Sequence, residues 1–281
     1  MLSVIAFTLF FRFLWGWQVG IYFISRKESS ERFLKISYFV YLGFWITCLL
    51  FLFQLPSAFV NARTIGCMGM VLGALTLYSF FSSRAIRIAG FVVSLVAPII
   101  FLPHQEFLSV FNFVTGAGVL GGVFLAMFLG HWFLNVPKLH IRELYRINKI
   151  ALLALSLKFA EVLTFLFYRI GIGAYSEIED LHRFNGLFPL SHASDSVSFS
   201  SGALAILGES YFGLAPFGLI VLSARILWGL IAPIVLLIMV HKTLELRSTQ
   251  SATGILYAAS VMVLFGECCA LYINQVLKWA I

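Results

Sequence analysis

The sequence predicts an all-α protein, a polytopic transmembrane helix bundle of about eight spans, and three observations support this fold class. First, 61% of the 281 residues are hydrophobic and only 11% are charged, whereas soluble domains carry about 25% charged residues. Second, several apolar stretches exceed the ~18 residues that mark a membrane-spanning helix. Third, basic residues recur in every second connection between these stretches. The whole chain, residues 1–281, is therefore predicted to form a single transmembrane domain.

The predicted spans follow one another along the chain with short connections, except in one place. They cover residues 2–24, 34–53, 64–81, 86–102, 107–133, 149–170, 212–240 and 252–277. The long connection, residues 171–211, is serine-rich and acidic and is predicted to be an outer loop. Pro233 lies inside the seventh predicted span, where its missing backbone N–H should disturb the α-helix locally.

The basic residues predict the orientation of the chain in the membrane. Four connections, those between spans 1–2, 3–4, 5–6 and 7–8, together carry twelve lysines and arginines. By the positive-inside rule these loops are cytoplasmic and both termini lie on the outer side. The pattern is typical of a protein of the prokaryotic cytoplasmic (inner) membrane. The formal net charge of +7 is then explained by topology and by contact with anionic lipids, and nucleic-acid binding is not expected.

Five ionisable residues lie inside the predicted spans: Arg12, Lys158, Glu161, Arg225 and Glu267. Each charge costs at least ~2.5–3.5 kcal/mol at the centre of a membrane helix, so each needs a partner. At a rise of 1.5 Å per residue, Arg12 and Glu161 reach similar depths, as do Arg225 and Glu267. We therefore predict the ion pairs Arg12–Glu161 and Arg225–Glu267, with spans 1, 6, 7 and 8 around one polar interior. Because Lys158 precedes Glu161 in the weaker order for an i,i+3 pair, both should also find partners on other helices.

Small and polar residues share one face of the fifth predicted span. They are Asn112, Thr115, Gly116, Val119, Val123, Ala126 and Gly130. Small residues allow helices to approach closely in lipid, where no hydrophobic effect drives their association. The same face could instead leave room for a flat ligand.

Two histidines are candidate contacts for a cofactor near the cytoplasmic ends of the spans. His131 lies about one turn inside the end of the fifth span, and His241 lies at the end of the seventh span. Histidines from two helices at similar depth can ligate haem b or flank a quinone headgroup. Alternatively, they cap the C-termini of their helices. The sequence contains no motif of a soluble enzyme, an intramembrane protease or a metal site, so it predicts no catalytic residues and no metal ligands.

The sequence leaves three functions open. The first is the movement of protons or of a small anionic solute, in which a buried glutamate carries the proton and a buried cation holds the substrate charge. The second is a membrane subunit of a redox complex, with haem or quinone at the two histidines. The third is a structural subunit whose buried ion pairs only fix helix packing. The partners are the lipid bilayer and, in the last two cases, other membrane subunits.

Overall fold

The computed structural model describes residues 2–24, 31–53, 92, 107–136, 141–185 and 216–277, and their regular structure is helical throughout. The helices are α1 Leu2–Tyr22, α2 Glu31–Phe53, α3 Phe107–Asn135, α4 Ile141–Asn185, α5 Pro216–Ile226, α6 Ala232–Glu245 and α7 Thr249–Leu277, with a π-helical turn, Leu227–Ile231, between α5 and α6. The predicted all-α class is confirmed for these ranges. Apart from residue 92, the third and fourth predicted spans lie outside the described residues, and the count of about eight stays a prediction.

Five segments in the described ranges are long and apolar enough to cross a membrane. They are Leu2–Tyr22, Val110–Asn135, Ile141–Tyr168, Phe217–Glu245 and Thr249–Asn274. Large apolar side chains also point away from the bundle, and Phe39 of α2, Phe167 of α4 and Phe265 of α7 are each at least half exposed. Such outer surfaces are suited to lipid rather than water. These features are those of an integral membrane protein in contact with the bilayer.

Helix α3 lies at the centre of the described helices and packs against α1, α4 and α7. Its small residues explain this position. A Cβ atom on Gly16 would lie 1.8 Å from the carbonyl oxygen of Ala117, and one on Gly121 would lie 2.0 Å from the carbonyl carbon of Gly16. The backbones of α1 and α3 are therefore in contact. On the face selected from the sequence, a Cβ atom on Gly130 would lie 3.0 Å from Oγ1 of Thr253 in α7, so close packing accounts for that glycine.

The contacts between helices also give their relative directions. Arg12 meets Gly116 and, one turn later in both helices, Gly16 meets Gly121, so α1 and α3 run parallel. Contacts of α3 with α4 and with α7 advance in the opposite sense, so these helices are antiparallel to it. A parallel α1–α3 pair requires an odd number of crossings between them, which the predicted second, third and fourth spans would provide. The side of the membrane on which the termini lie stays a prediction.

Helix α4 is longer than its predicted span of 149–170. It begins at Ile141 and ends at Asn185, so the first part of the predicted outer loop, residues 171–185, is helical. The remainder of that loop lies outside the described residues. Hydropathy marks where a helix leaves the hydrocarbon, whereas the helix itself ends at helix-breaking residues. No proline or glycine occurs between Ala174 and Asn185, and the next residue is a glycine.

The helix that contains Pro233 departs from α-helical geometry, as predicted. The turn Leu227–Ile231 is π-helical, and the N–H of Ala232 donates to the carbonyl of Leu227, five residues earlier. Pro233 follows in the first turn of α6 and has no backbone N–H to donate to a carbonyl of the preceding helical turn. Such π-helical turns occur often at functional sites. This one begins two residues after Arg225.

Candidate functional site

Glu267 of α7 is the central residue of a buried ion-pair network. Its Oε2 accepts a hydrogen bond from Nη1 of Arg12 at 2.9 Å, and its Oε1 accepts one from Nη2 of Arg225 at 2.7 Å. The side chains of Arg225 and Glu267 are fully buried, and that of Arg12 is 5% exposed. The predicted Arg225–Glu267 pair is confirmed. The predicted pairing of Arg12 with Glu161 is wrong, because Arg12 binds Glu267 instead.

The reach of arginine explains why depth alone selected the wrong partner for Arg12. The two glutamates differ in predicted depth by about 4 Å, less than one helical turn, and an arginine side chain spans that difference. Gly116 of α3 allows Arg12 to pair with Glu267. A Cβ atom there would lie 2.7 Å from Nη1 of Arg12 and 3.0 Å from Oε2 of Glu267. The ion pair therefore passes across α3 at a position that has no side chain.

Lys158 and Glu161 of α4 form the second part of the network. Nζ of Lys158 lies 3.2 Å from each carboxylate oxygen of Glu161. Among the described residues the hydrogen bonds of Lys158 go to Glu161, and a partner for Lys158 on another helix stays a prediction. For Glu161 such a partner is confirmed, since Oγ1 of Thr115 in α3 donates to its Oε2 at 2.6 Å. Lys158 and Glu161 pair despite their less favourable i,i+3 order, because leaving a buried charge unpaired would cost more free energy.

Two side chains of α3, one turn apart, connect the two parts of the network. Oδ1 of Asn112 accepts a hydrogen bond from Nη2 of Arg12, and Thr115 binds the carboxylate of α4. Lys158 also interacts electrostatically with Glu267. The five ionisable residues selected from the sequence thus form two hydrogen-bonded groups, contributed by α1, α4, α5 and α7 around α3. The sequence predicts a packing face for Asn112 and Thr115 but not their contacts with charged residues. The sequence feature that could have revealed these contacts is a pair of polar residues three positions apart in an otherwise apolar helix.

Contact between two backbones brings Arg225 to Glu267. A Cβ atom on Gly229, in the π-helical turn, would lie 2.5 Å from the Cα of Gly266, and one on Gly266 would lie 2.3 Å from the Cα of Gly229. Gly229 follows Arg225 by one turn, and Gly266 directly precedes Glu267. A Cβ atom on Gly266 would also lie 3.0 Å from Nη1 of Arg225. The guanidinium group therefore occupies space that the two glycines leave open.

The network carries one more cation than anion when all of its groups are ionised. It also contains four buried donor atoms without a hydrogen-bond partner among the described residues, namely Nε of Arg12, Nδ2 of Asn112, and Nε and Nη1 of Arg225. No acceptor atom of the network is unpaired in the described part of the chain. A buried donor left unpaired costs about 1–3 kcal/mol. Among the described residues, the network therefore has more buried donors than acceptors.

The two histidines selected as candidate cofactor contacts lie in separate helix pairs. Nε2 of His241 is 2.6 Å from the hydroxyl of Tyr145 in α4. Nδ1 of His131 is 3.0 Å from the hydroxyl of Tyr257 in α7. Each bond joins two neighbouring helices at their ends. Binding of haem or quinone by these histidines stays a prediction.

The fold and the site together define an integral membrane protein with a buried charge network in which cations outnumber anions. No protein-family model, curated protein or solved structure matches this chain.

Proposed function

We propose that the protein moves a small anion across the membrane together with a proton. The supporting observation is the position of the charge network, in which five ionisable side chains from four helices form two hydrogen-bonded groups beside α3 inside an apolar bundle. Apolar side chains would stabilise helix packing at least as well, since buried ion pairs seldom improve on them. Ionisable residues within a membrane usually serve the path of an ion or substrate.

The two arginines favour an anion as the transported solute. Arg12 and Arg225 share the single carboxylate of Glu267, so half of their combined charge is left without a direct counter-charge. An entering anion would neutralise this excess, whereas a cation would be repelled by it. Electrostatic interactions of this kind are strong in the interior of the bundle, where the effective dielectric constant is low.

Glu161 is the residue we propose for the proton. Its side chain is 9% exposed, whereas that of Lys158 is fully buried, so the carboxylate is the more accessible member of the pair. Protonation of Glu161 removes one negative charge from the network and so increases the excess of positive charge around the arginines. Anion binding therefore strengthens when the proton is bound, which favours movement of both in the same direction.

Glu161→Gln is expected to abolish the coupling between anion and proton. Glutamine keeps an acceptor for Thr115 but cannot exchange a proton. With wild-type protein in liposomes, addition of sodium nitrate, chloride or formate outside should acidify the interior, as reported by a pH-sensitive dye. With Glu161→Gln the acidification should fall to the level of protein-free liposomes.

The matched control is Glu245→Gln, at the end of α6, where the side chain is 47% exposed. It makes the same chemical change outside the network and should leave the anion-driven acidification intact. The proposed function is wrong if wild-type liposomes respond to none of the three anions more than protein-free liposomes do.

A further inference from the structure

We infer that the charge network contains a binding site for one small monovalent anion, formed by Arg225, Arg12 and Asn112. This inference rests on the proposed function, because it names the chemical class of the solute and the atoms that bind it. Its basis is the set of four buried donor atoms that lack partners among the described residues.

Arg225 supplies most of the unpaired donors. Only its Nη2 is used by Glu267, while Nε and Nη1 have no partner among the described residues. The residue has no exposed surface at all, so bulk water does not satisfy these groups. A fully buried guanidinium with two unpaired nitrogens is a strong binding group for an anion, because hydrogen bonds from a charged donor are stronger than neutral ones.

Arg12 and Asn112 supply the remaining donors from the adjacent helices. Nη2 of Arg12 binds Oδ1 of Asn112, and the unpaired Nε of Arg12 lies on the same edge of the guanidinium group as Nη2. The unpaired Nδ2 of Asn112 belongs to the amide that this edge faces. Both arginines are joined through Glu267, so all of the unpaired donors belong to one hydrogen-bonded cluster.

The chemistry of the unpaired atoms favours an anion over water. Each carboxylate oxygen of Glu267 already accepts a hydrogen bond from an arginine, and the four unpaired atoms are all donors. A water molecule would satisfy donors but leave the excess positive charge in the apolar interior. An anion accepts hydrogen bonds from donors of this cluster and also removes the excess charge.

Charge and space define the class of anion. With all five groups ionised, one negative charge neutralises the network, whereas a divalent anion would leave a net negative charge buried, which is unfavourable. Space beside Arg225 is limited, because its Nη1 lies against Gly229 and Gly266, whose backbones touch each other. The site therefore suits anions of the size of chloride, nitrate or formate.

Arg225→Lys and Asn112→Asp are expected to weaken anion binding in different ways. Lysine keeps the positive charge and can still pair with Glu267, but it lacks the Nε and Nη1 donors. Aspartate keeps an acceptor for Arg12, removes one donor and cancels the excess positive charge. Isothermal titration of the purified protein in gluconate buffer should show one site for nitrate, chloride or formate and none for sulfate. Binding should weaken at least about tenfold in Arg225→Lys and become undetectable in Asn112→Asp.

Arg146→Lys is the matched control, since it makes the same exchange at an exposed position of α4 and should bind as the wild type does. If Arg225→Lys does not fold, the nearly isosteric Asn112→Asp still decides the question, with its folding checked by thermal unfolding. The inference is overturned if the wild type binds none of the monovalent anions, or if the folded variants bind them as tightly as the wild type. Binding that depends on Arg225 without flux in liposomes would retain this site and reject transport. If the liposomes acidify but neither substitution weakens anion binding, this site is rejected and the proposed transport function is retained.

Discussion

Glu267→Gln is expected to cause the largest loss of stability of any single substitution in the charge network. Both oxygens of Glu267 bind a buried guanidinium group, at 2.9 Å for Arg12 and 2.7 Å for Arg225. Glutamine has nearly the same size but carries no charge, and its amide NH₂ group would face one of the guanidinium groups. Removing one partner of a buried ion pair costs about 3–5 kcal/mol. Because two cations lose their counter-charge here, we expect a loss at the upper end of that range, measured by unfolding in detergent or bicelles.

Two further variants make this prediction specific. Glu245→Gln removes a largely exposed carboxylate that pairs with Lys242 at 3.5 Å, and exposed pairs contribute only about 0–1 kcal/mol. Combining Glu267→Gln with Arg225→Met removes one of the two uncompensated cations and should restore part of the lost stability. If Glu267→Gln unfolds at the same temperature as Glu245→Gln, the ion pairs do not hold these helices together.

The two glutamates therefore have different roles in the proposed function. Glu267 has no exposed surface and two arginine partners, so its protonation would leave two buried cations without a counter-charge. Glu161 has one cation and one hydroxyl as partners and retains some exposure. The sequence alone offered both as proton carriers. The contacts favour Glu161 for that role and Glu267 as the residue that fixes the arginines around the anion.

The ionisable residues of the site and the Arg225–Glu267 pair could be predicted from the sequence. The partner of Arg12 and the contacts of Asn112 and Thr115 could not. A charge within a long apolar stretch needs a partner, and this requirement alone identified Arg12, Lys158, Glu161, Arg225 and Glu267. The partner of Arg12 depends on a gap in the surface of α3. Gly116 opens the path from Arg12 to Glu267, and no periodicity in a single helix reveals which neighbour such a gap will face.

For the fold, hydropathy predicts where the membrane helices lie but not where they end or how they deviate from α-helical geometry. The apolar stretches located the described membrane helices, because each must bury its backbone polar groups within itself. They did not locate the ends of α4, which extends into polar sequence on both sides. Pro233 predicted a disturbance of its helix, yet its form, a π-helical turn that presents Gly229 to Gly266, depends on the packing of a second helix.

Gly121→Ala is expected to separate α1 from α3. A Cβ atom at this position would lie 2.0 Å from the carbonyl carbon of Gly16 and 2.3 Å from the backbone nitrogen of Trp17. Both are backbone atoms, so no side chain can rotate to make room and one helix must move. Overpacking of this kind costs about 1–3 kcal/mol and occasionally more, and we expect about 3 kcal/mol in a thermal unfolding measurement. The control is Gly254→Ala in α7, where no atom lies within 4 Å. There alanine should leave stability unchanged or raise it by up to ~1 kcal/mol through its helix propensity.

The same substitution connects helix packing with anion binding. Arg12 precedes Gly16 by one turn of α1, so displacement of that helix moves the guanidinium away from both Glu267 and Asn112. Gly121→Ala should therefore weaken nitrate binding in the titration described above, although no atom of Gly121 belongs to the site. Gly254→Ala should bind nitrate as the wild type does. Equal stability and equal binding in the two variants would mean that α1 and α3 are not in backbone contact, and the position of Arg12 in the network would then lose its support.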